Sequence, residues 1–160
     1  MTIQVGDRVP SATLRVMTQE GPSSVTTTEL LGSGKVVLFS VPGAFTPTCS
    51  KRHLPGFIEH APALAGKGVD RIVCIAVNDV FVMDAWGKSA GVGDRIVMAA
   101  DGSGDFTRAL GLELDLSDAG MGQRGKRFAM VIQDGVVQSL DVEPPGQFGV
   151  SSAENVHCHL

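Results

Sequence analysis

The sequence predicts an α/β fold in which helices flank a mixed central β-sheet. Three observations carry this reading: short apolar, β-branched runs of strand length; helix-start signals placed between them; and an Asp-Gly turn joining two further apolar runs. The chain has 160 residues, so a single domain over 1–160 is expected. A chain of this length buries roughly 70% of the surface its unfolded form exposes, and its folding does not call for disulfides or metals.

The elements follow in order. Thr26-Thr27-Thr28-Glu29 fits a capping box, with Thr at the N-cap and Glu three residues on, and predicts a first helix. Val36 to Val41 is a buried strand. From Pro47 to about Ala65 the spacing of Phe57, Ile58, Ala61 and Leu64 is helical, and Pro55 should bend that helix by removing one ladder bond. Arg71 to Val77 is a second strand. Alternation places Ile72, Cys74 and Ala76 on one face and Val73, Ile75 and Val77 on the other, so both faces are apolar. Asn78-Asp79 can cap a helix over Val80 to Ala90, with Gly91 as its stop. Ile96 to Ala99 reads as a third strand. Phe128 to Gln133 and Val136 to Val142 flank Asp134-Gly135, a two-residue hairpin signal that adds an antiparallel pair. Ser151-Ser152-Ala153-Glu154 repeats the capping-box pattern before a C-terminal helix.

Composition excludes several functions. Seventeen acidic residues against 13 basic give a net charge of −4, which offers no electrostatic reason to bind nucleic acid or an anionic membrane. The longest apolar run, Ile72 to Val77, is far short of the ~20 residues a bilayer requires. The N-terminus shows no basic region followed by an apolar block, so no secretory signal is expected. Cys49, Cys74 and Cys158 are odd in number and widely spaced, unlike a secreted disulfide framework, and point to a reducing, cytoplasmic compartment.

The chemistry concentrates in Val41-Pro42-Gly43-Ala44-Phe45-Thr46-Pro47-Thr48-Cys49-Ser50. This loop leaves a buried strand and opens a helix, where α/β sheets build their sites. Pro47 suits the first helical positions, which places Cys49 in the first turn. Free N–H groups and the positive end of the helix dipole favour a thiolate there, and the thiolate is the nucleophile. Lys51 and Arg52 add positive potential, and Thr46 is close enough to offer its hydroxyl to the sulfur or to a bound oxygen. A narrow, dry loop of this kind suits a small electrophile such as a peroxide: the thiolate attacks one oxygen, the O–O bond breaks and a sulfenic acid forms. Without further context, Cys49 also reads as a small core residue and Arg127 as a surface cation at a strand edge.

Pro42-Gly43-Ala44-Phe45-Thr46-Pro47-Thr48-Cys49 resembles the Pro-x-x-x-Thr-x-x-Cys signature of peroxiredoxins, and within them the peroxiredoxin 5 group with its plant type II enzymes. The segments 49–57, 77–83, 126–131 and 150–154 resemble the same group. The resemblance implies a thioredoxin-like fold, a thiol peroxidase and a homodimer. It implies Cys49 as the peroxidatic cysteine and Thr46 as a hydrogen-bonding partner of peroxide and thiolate. Pro42 becomes a shield against water, and Arg127 the arginine that stabilises the thiolate and orients the peroxide. It also implies glutathione with glutaredoxin, or thioredoxin, as the external reductant, and no metal, haem or flavin. The alternatives are a non-catalytic redox sensor or holdase on the same fold, and a disulfide oxidoreductase, which Thr46 disfavours by standing where Cys-x-x-Cys needs its first thiol.

Two cysteines are left over. Cys74 reads as a packed core thiol, with a resolving role open because plant type II relatives carry a cysteine at this spacing. The place of the C-terminal resolving cysteine of animal relatives is taken by Val150. Cys158, eight residues on, is then a frayed terminal residue, a displaced resolving thiol or an adventitious metal binder beside His157 and His159. Cys49 and His53 share an i,i+4 spacing, but no third partner for a Cys–His hydrolase or metal site is legible, and His53 and His60 are expected in local hydrogen bonds or at the surface. Arg124 and Lys126 are expected in solvent, and Phe57, Phe81 and Trp86 in the core or a subunit contact.

Overall fold

The computed structural model describes residues 2–160. The chain opens with a hairpin of β1 (Thr13–Thr18) and β2 (Gly21–Thr26), followed at once by the short helix α1 (Thr27–Leu31). Thr26 caps α1: its hydroxyl accepts from Glu29 N–H at 3.1 Å, as the capping pattern predicts. β3 (Lys35–Ser40), β4 (Arg71–Ala76) and β5 (Val97–Ala100) are the parallel centre of the sheet. β6 (Glu113–Leu116) and β7 (Gly122–Gly125) form a separate two-stranded sheet. β8 (Phe128–Gln133) lies antiparallel to β3, and β9 (Val136–Val142) antiparallel to β8. The order across the main sheet is β2-β1-β5-β4-β3-β8-β9, so the sheet is mixed and β3 sits well inside it. The β8–β9 turn has φ of 51° at Asp134 and 83° at Gly135, the left-handed pair that an Asp-Gly hairpin supplies.

Two apolar layers cover the sheet. On one face, Val37, Phe39, Cys74 and Ala76 pack under α2 (Leu54–Gly66), α3 (Val80–Ala90) and α5 (Ala153–Cys158) with Phe57, Leu64, Met83 and Trp86. On the other, Val36, Leu38, Val73, Ile75 and Met130 pack with Leu31, Phe106 and Leu110, the last two from α4 (Asp105–Leu110). The alternation expected for Arg71 to Val77 is thus observed, and both faces are buried.

Two local expectations need correction. The helix beginning at Pro47 is not simply bent at Pro55. It widens into a π-helical turn over Cys49–His53, closed by Leu54 N–H to Cys49 O, and Pro55 then falls in the first turn of α2, where its missing donor costs little. At the other end of the chain, Ser152 rather than Ser151 caps α5, accepting from Asn155 N–H at 3.2 Å, while Ser151 turns inward. α3 follows its expectation: Asp79 accepts from Val82 N–H at 2.8 Å, and Gly91 closes the helix at φ 74°. No helix among the described residues is long and apolar enough to cross a membrane.

Candidate active site

The Cys49 loop is pinned from three sides. Ala44 N–H donates to Asn78 Oδ1 at 2.9 Å, tying the loop to the entrance of α3. Thr46 Oγ1 donates to Gly43 O at 2.7 Å and closes the turn on itself. Trp86 Nε1 donates to Ser50 Oγ at 3.0 Å, anchoring the helix start from α3. The turn forces Phe45 into the left-handed region at φ 64°, a strain of about 1–3 kcal/mol for a bulky residue that the surrounding bonds must offset. Ser50 N–H to Thr46 O is the first helical bond, so Cys49 stands in the first turn.

Arg127 immediately precedes β8, whose Phe128 pairs with Ser40 at the end of β3. That register brings the arginine beside the loop leaving β3. Its Nη2 donates to Cys49 Sγ at 3.0 Å and its Nη1 to His53 Nδ1 at 2.9 Å. Cys49 is fully buried, so the guanidinium faces the sulfur with little water to screen it.

His53 is also fully buried, ringed by Phe39, Phe57 and Phe148 at centroid distances of 5.0, 5.6 and 5.0 Å. Burial first, and then the Arg127 charge, push its pKa down to about 3, so the ring is neutral. Its Nε2 lies 2.9 Å from Ser151 O, and a carbonyl can only accept, so Nε2 carries the hydrogen and Nδ1 offers its lone pair to Arg127. Ser151 is held in turn by Glu143, whose Oε2 accepts from Ser151 N–H and Oγ, both at 2.7 Å, and from Gly149 N–H at 2.6 Å. Burial works against the Glu143 carboxylate, but these bonds outweigh it and keep its pKa below the ordinary carboxylate value.

A cleft of about 210 Å³ opens beside this cluster, walled by Pro42, Thr48, Leu114, Leu116, Lys126, Arg127 and Glu143. Cys49 is buried and does not itself line the cleft. Thr46 does not bond the sulfur: its hydroxyl hydrogen is committed to Gly43 O, which leaves lone pairs to accept from an incoming O–H. Cys74 is fully buried, in register with Phe39 of β3, and in the same apolar layer as Cys49. Burial, and then the Cys49 charge, push its thiol well above its ordinary pKa. Cys158 is exposed at the end of α5, and all three cysteines are free thiols. No group of three His, Cys, Asp or Glu side chains among the described residues could hold a metal.

Residues 4–156 match the Redoxin family. Peroxiredoxin-2B of Arabidopsis thaliana is 50% identical, over 96% of this chain and 96% of its own. The hybrid peroxiredoxin hyPrx5 of Haemophilus influenzae is 42% identical over 100% of this chain and 67% of its own. The structure of reduced Prx3 from Vibrio vulnificus in complex with H2O2 superposes with a TM-score of 0.95 at 49% identity, over 99% of both chains. The chain belongs to the peroxiredoxin family. This peroxiredoxin is a thiol peroxidase with a thioredoxin-like fold, and its relatives include plant type II enzymes and a hybrid of the peroxiredoxin 5 kind.

Sequence reasoning missed part of this peroxiredoxin's site. His53 is neither at the surface nor in a merely local bond: it reaches Ser151, 98 positions away, whereas His60 does stay local, its Nδ1 2.9 Å from Gly56 O. The i,i+4 spacing from Cys49 was the available signal. Glu143 and Ser151 gave none, because only the return of the chain after β9 brings them in. Arg124 is not simply solvated either, since its Nε donates to Met121 O and its Nη1 to Val77 O at 2.9 and 3.1 Å. Trp86 and Phe57 are buried, but Phe81 is 63% exposed.

Proposed function

We propose that Cys49 is the sulfur that attacks the hydroperoxide and that an external thiol returns it to the reduced state. One observation carries the first half: the Arg127 guanidinium donating to Cys49 Sγ inside a dry first helical turn. The cation stabilises the anionic sulfur and stands beside the cleft through which a peroxide reaches it. The sulfur lone pair attacks the terminal oxygen of ROOH, and the O–O bond breaks. That OH stays on sulfur as the sulfenic acid, and RO⁻ leaves and takes a proton to become ROH. Thr46 accepts from the peroxide O–H, Arg127 donates to the oxygen on which charge develops, and Pro42 keeps bulk water off the loop. Hydrogen peroxide and small alkyl hydroperoxides are the proposed substrates.

Reduction then consumes two thiols: the first displaces water from the sulfenic acid to give a mixed disulfide, and the second releases Cys49 and a disulfide product. Glutathione with glutaredoxin, or thioredoxin, is the proposed donor. An external donor fits Val150 in place of a C-terminal cysteine and the high pKa of Cys74. A homodimer is proposed through the exposed rings of Phe45 and Phe81, 53% and 63% exposed, and a reducing, cytoplasmic compartment through the three free thiols. The test is peroxide consumption by Cys49→Ser with a thiol donor supplied. Turnover is expected to fall to background, and retained turnover would dismiss Cys49 as the nucleophile.

A further inference from the structure

The side chain that aims Arg127 is itself aimed, and the bonds responsible form a closed ring. Arg127 Nη1 donates to His53 Nδ1 at 2.9 Å, and His53 Nε2 donates to Ser151 O at 2.9 Å. Ser151, through its N–H and its hydroxyl, donates to Glu143 Oε2, 2.7 Å in each case. Glu143 N–H then donates to Arg127 O at 2.9 Å. The ring leaves Arg127 at its side chain and returns to its backbone. A guanidinium has five donors and a long flexible stem, so a single bond to sulfur does not fix its plane. Two side-chain bonds from different nitrogens, with the backbone held by the same circuit, do. Phe148 restrains the assembly from outside: its ring lies 6.0 Å from the Arg127 guanidinium carbon and 4.7 Å from that of Arg52.

The geometry points to His53 as a positioning residue for the peroxidatic step: a neutral imidazole, fixed in its Nε2–H tautomer by the Ser151 carbonyl, whose Nδ1 lone pair turns the Arg127 fork so that Nη2 meets Cys49 Sγ. The inference rests on the reading of Cys49 as the attacking sulfur, and it assigns Glu143 and Ser151 to the same device. A proton on Nδ1 would place two donors face to face and swing the arginine away. The ring of phenyl groups around His53, at 5.0 to 5.6 Å, keeps that proton out.

Two isosteres separate positioning from packing. Asparagine at 53 can place an amide oxygen near the Nδ1 position and accept from Arg127, while giving up the bond to Ser151. Glutamine can place an amide N–H near the Nε2 position and keep the bond to Ser151, while giving up the acceptor. The second-order rate constant for sulfenic acid formation is expected to stay within about threefold in His53→Asn and to fall about 10- to 100-fold in His53→Gln, the range for losing one hydrogen bond to a charged group. Equal losses in both variants, or none in either, would overturn the proposal. Should neither variant fold, ¹⁵N NMR of the imidazole rings decides on the intact protein: one histidine is expected to show a bare Nδ1 and a protonated Nε2 from pH 7 to pH 5, with its Nδ1 resonance moving in Arg127→Ala. An Nδ1–H tautomer, or a ring that titrates near pH 6, would overturn it. The NMR result does not depend on which sulfur reacts, so failure of this inference and failure of the Cys49 assignment remain distinguishable.

Discussion

Cys49 and Cys74 are both fully buried, and both belong to the apolar layer beneath α2 and α3, yet their polar surroundings differ. Cys49 stands in a first helical turn with a guanidinium nitrogen 3.0 Å from its sulfur. Cys74 lies mid-strand in β4, its backbone paired on both sides, and burial drives its thiol pKa upward. Burial alone therefore does not set the surroundings of a cysteine in this fold. The difference is a direct bond: the β3–β8 register brings Arg127 within hydrogen-bond reach of Cys49 Sγ, and on that bond the proposed assignment of the nucleophile rests.

Removing the cation should break the contrast most strongly. Arg127→Ala is expected to slow sulfenic acid formation at Cys49 by about 100- to 1000-fold, the usual effect of deleting a donor aimed at developing charge. Trapping of the sulfenic acid after a single peroxide addition measures this, and an unaltered rate would show that the helix turn alone activates the sulfur. A smaller effect is expected at the other cysteine. Cys74→Ala should lower stability by on the order of 1 kcal/mol through a small cavity in the layer, and leave turnover with an external thiol within about twofold. Intact mass after one equivalent of peroxide sharpens the point: a gain of one oxygen atom is expected in wild type and variant alike. An internal disulfide in the wild type that vanishes in the variant would make Cys74 the resolving thiol and end the contrast.

The smallest effect concerns pH. His53 in the unfolded chain takes a proton below its ordinary pKa of 6.5, whereas in the folded protein it resists until about 3. The unfolded state then binds more protons, so stability from this group is lost as pH falls from about 6.5 toward 3. Glu143 is lowered too and contributes in the same direction, since its stabilisation is lost as acid protonates it. Denaturant midpoints at pH 7, 6 and 5 should decline, and the decline should be shallower in His53→Asn, which has no ring to protonate. Parallel slopes would mean that the imidazole does not titrate on unfolding.

Much of this was legible in sequence. The central strands, the cap of α3 and the Asp-Gly hairpin carry strong local signals, because buried β-branched runs and turn residues have few alternatives. The N-terminal hairpin did not announce itself. β2 is Gly-Pro-Ser-Ser-Val-Thr, mostly exposed, and tolerates Pro only because it lies at the sheet edge. β6 and β7 are four residues each and form their own small sheet, below the length at which periodicity speaks. In the site, Cys49, Pro42 and Thr46 were readable from one contiguous loop, although Thr46 bonds Gly43 rather than the sulfur. Arg127 was reached through resemblance. The i,i+4 spacing drew attention to His53 without giving its role, and Ser151 and Glu143 were not reached as site residues, because their partners lie far off in the chain and spacing does not encode a circuit closed by tertiary return.

Trp86 is the chain's only tryptophan, and the sequence contains no tyrosine. Its indole N–H donates to Ser50, the residue next to Cys49. The molecule thus carries a single indole fluorophore hydrogen-bonded one residue from the proposed nucleophile, and its emission is expected to change on oxidation there, with no label added.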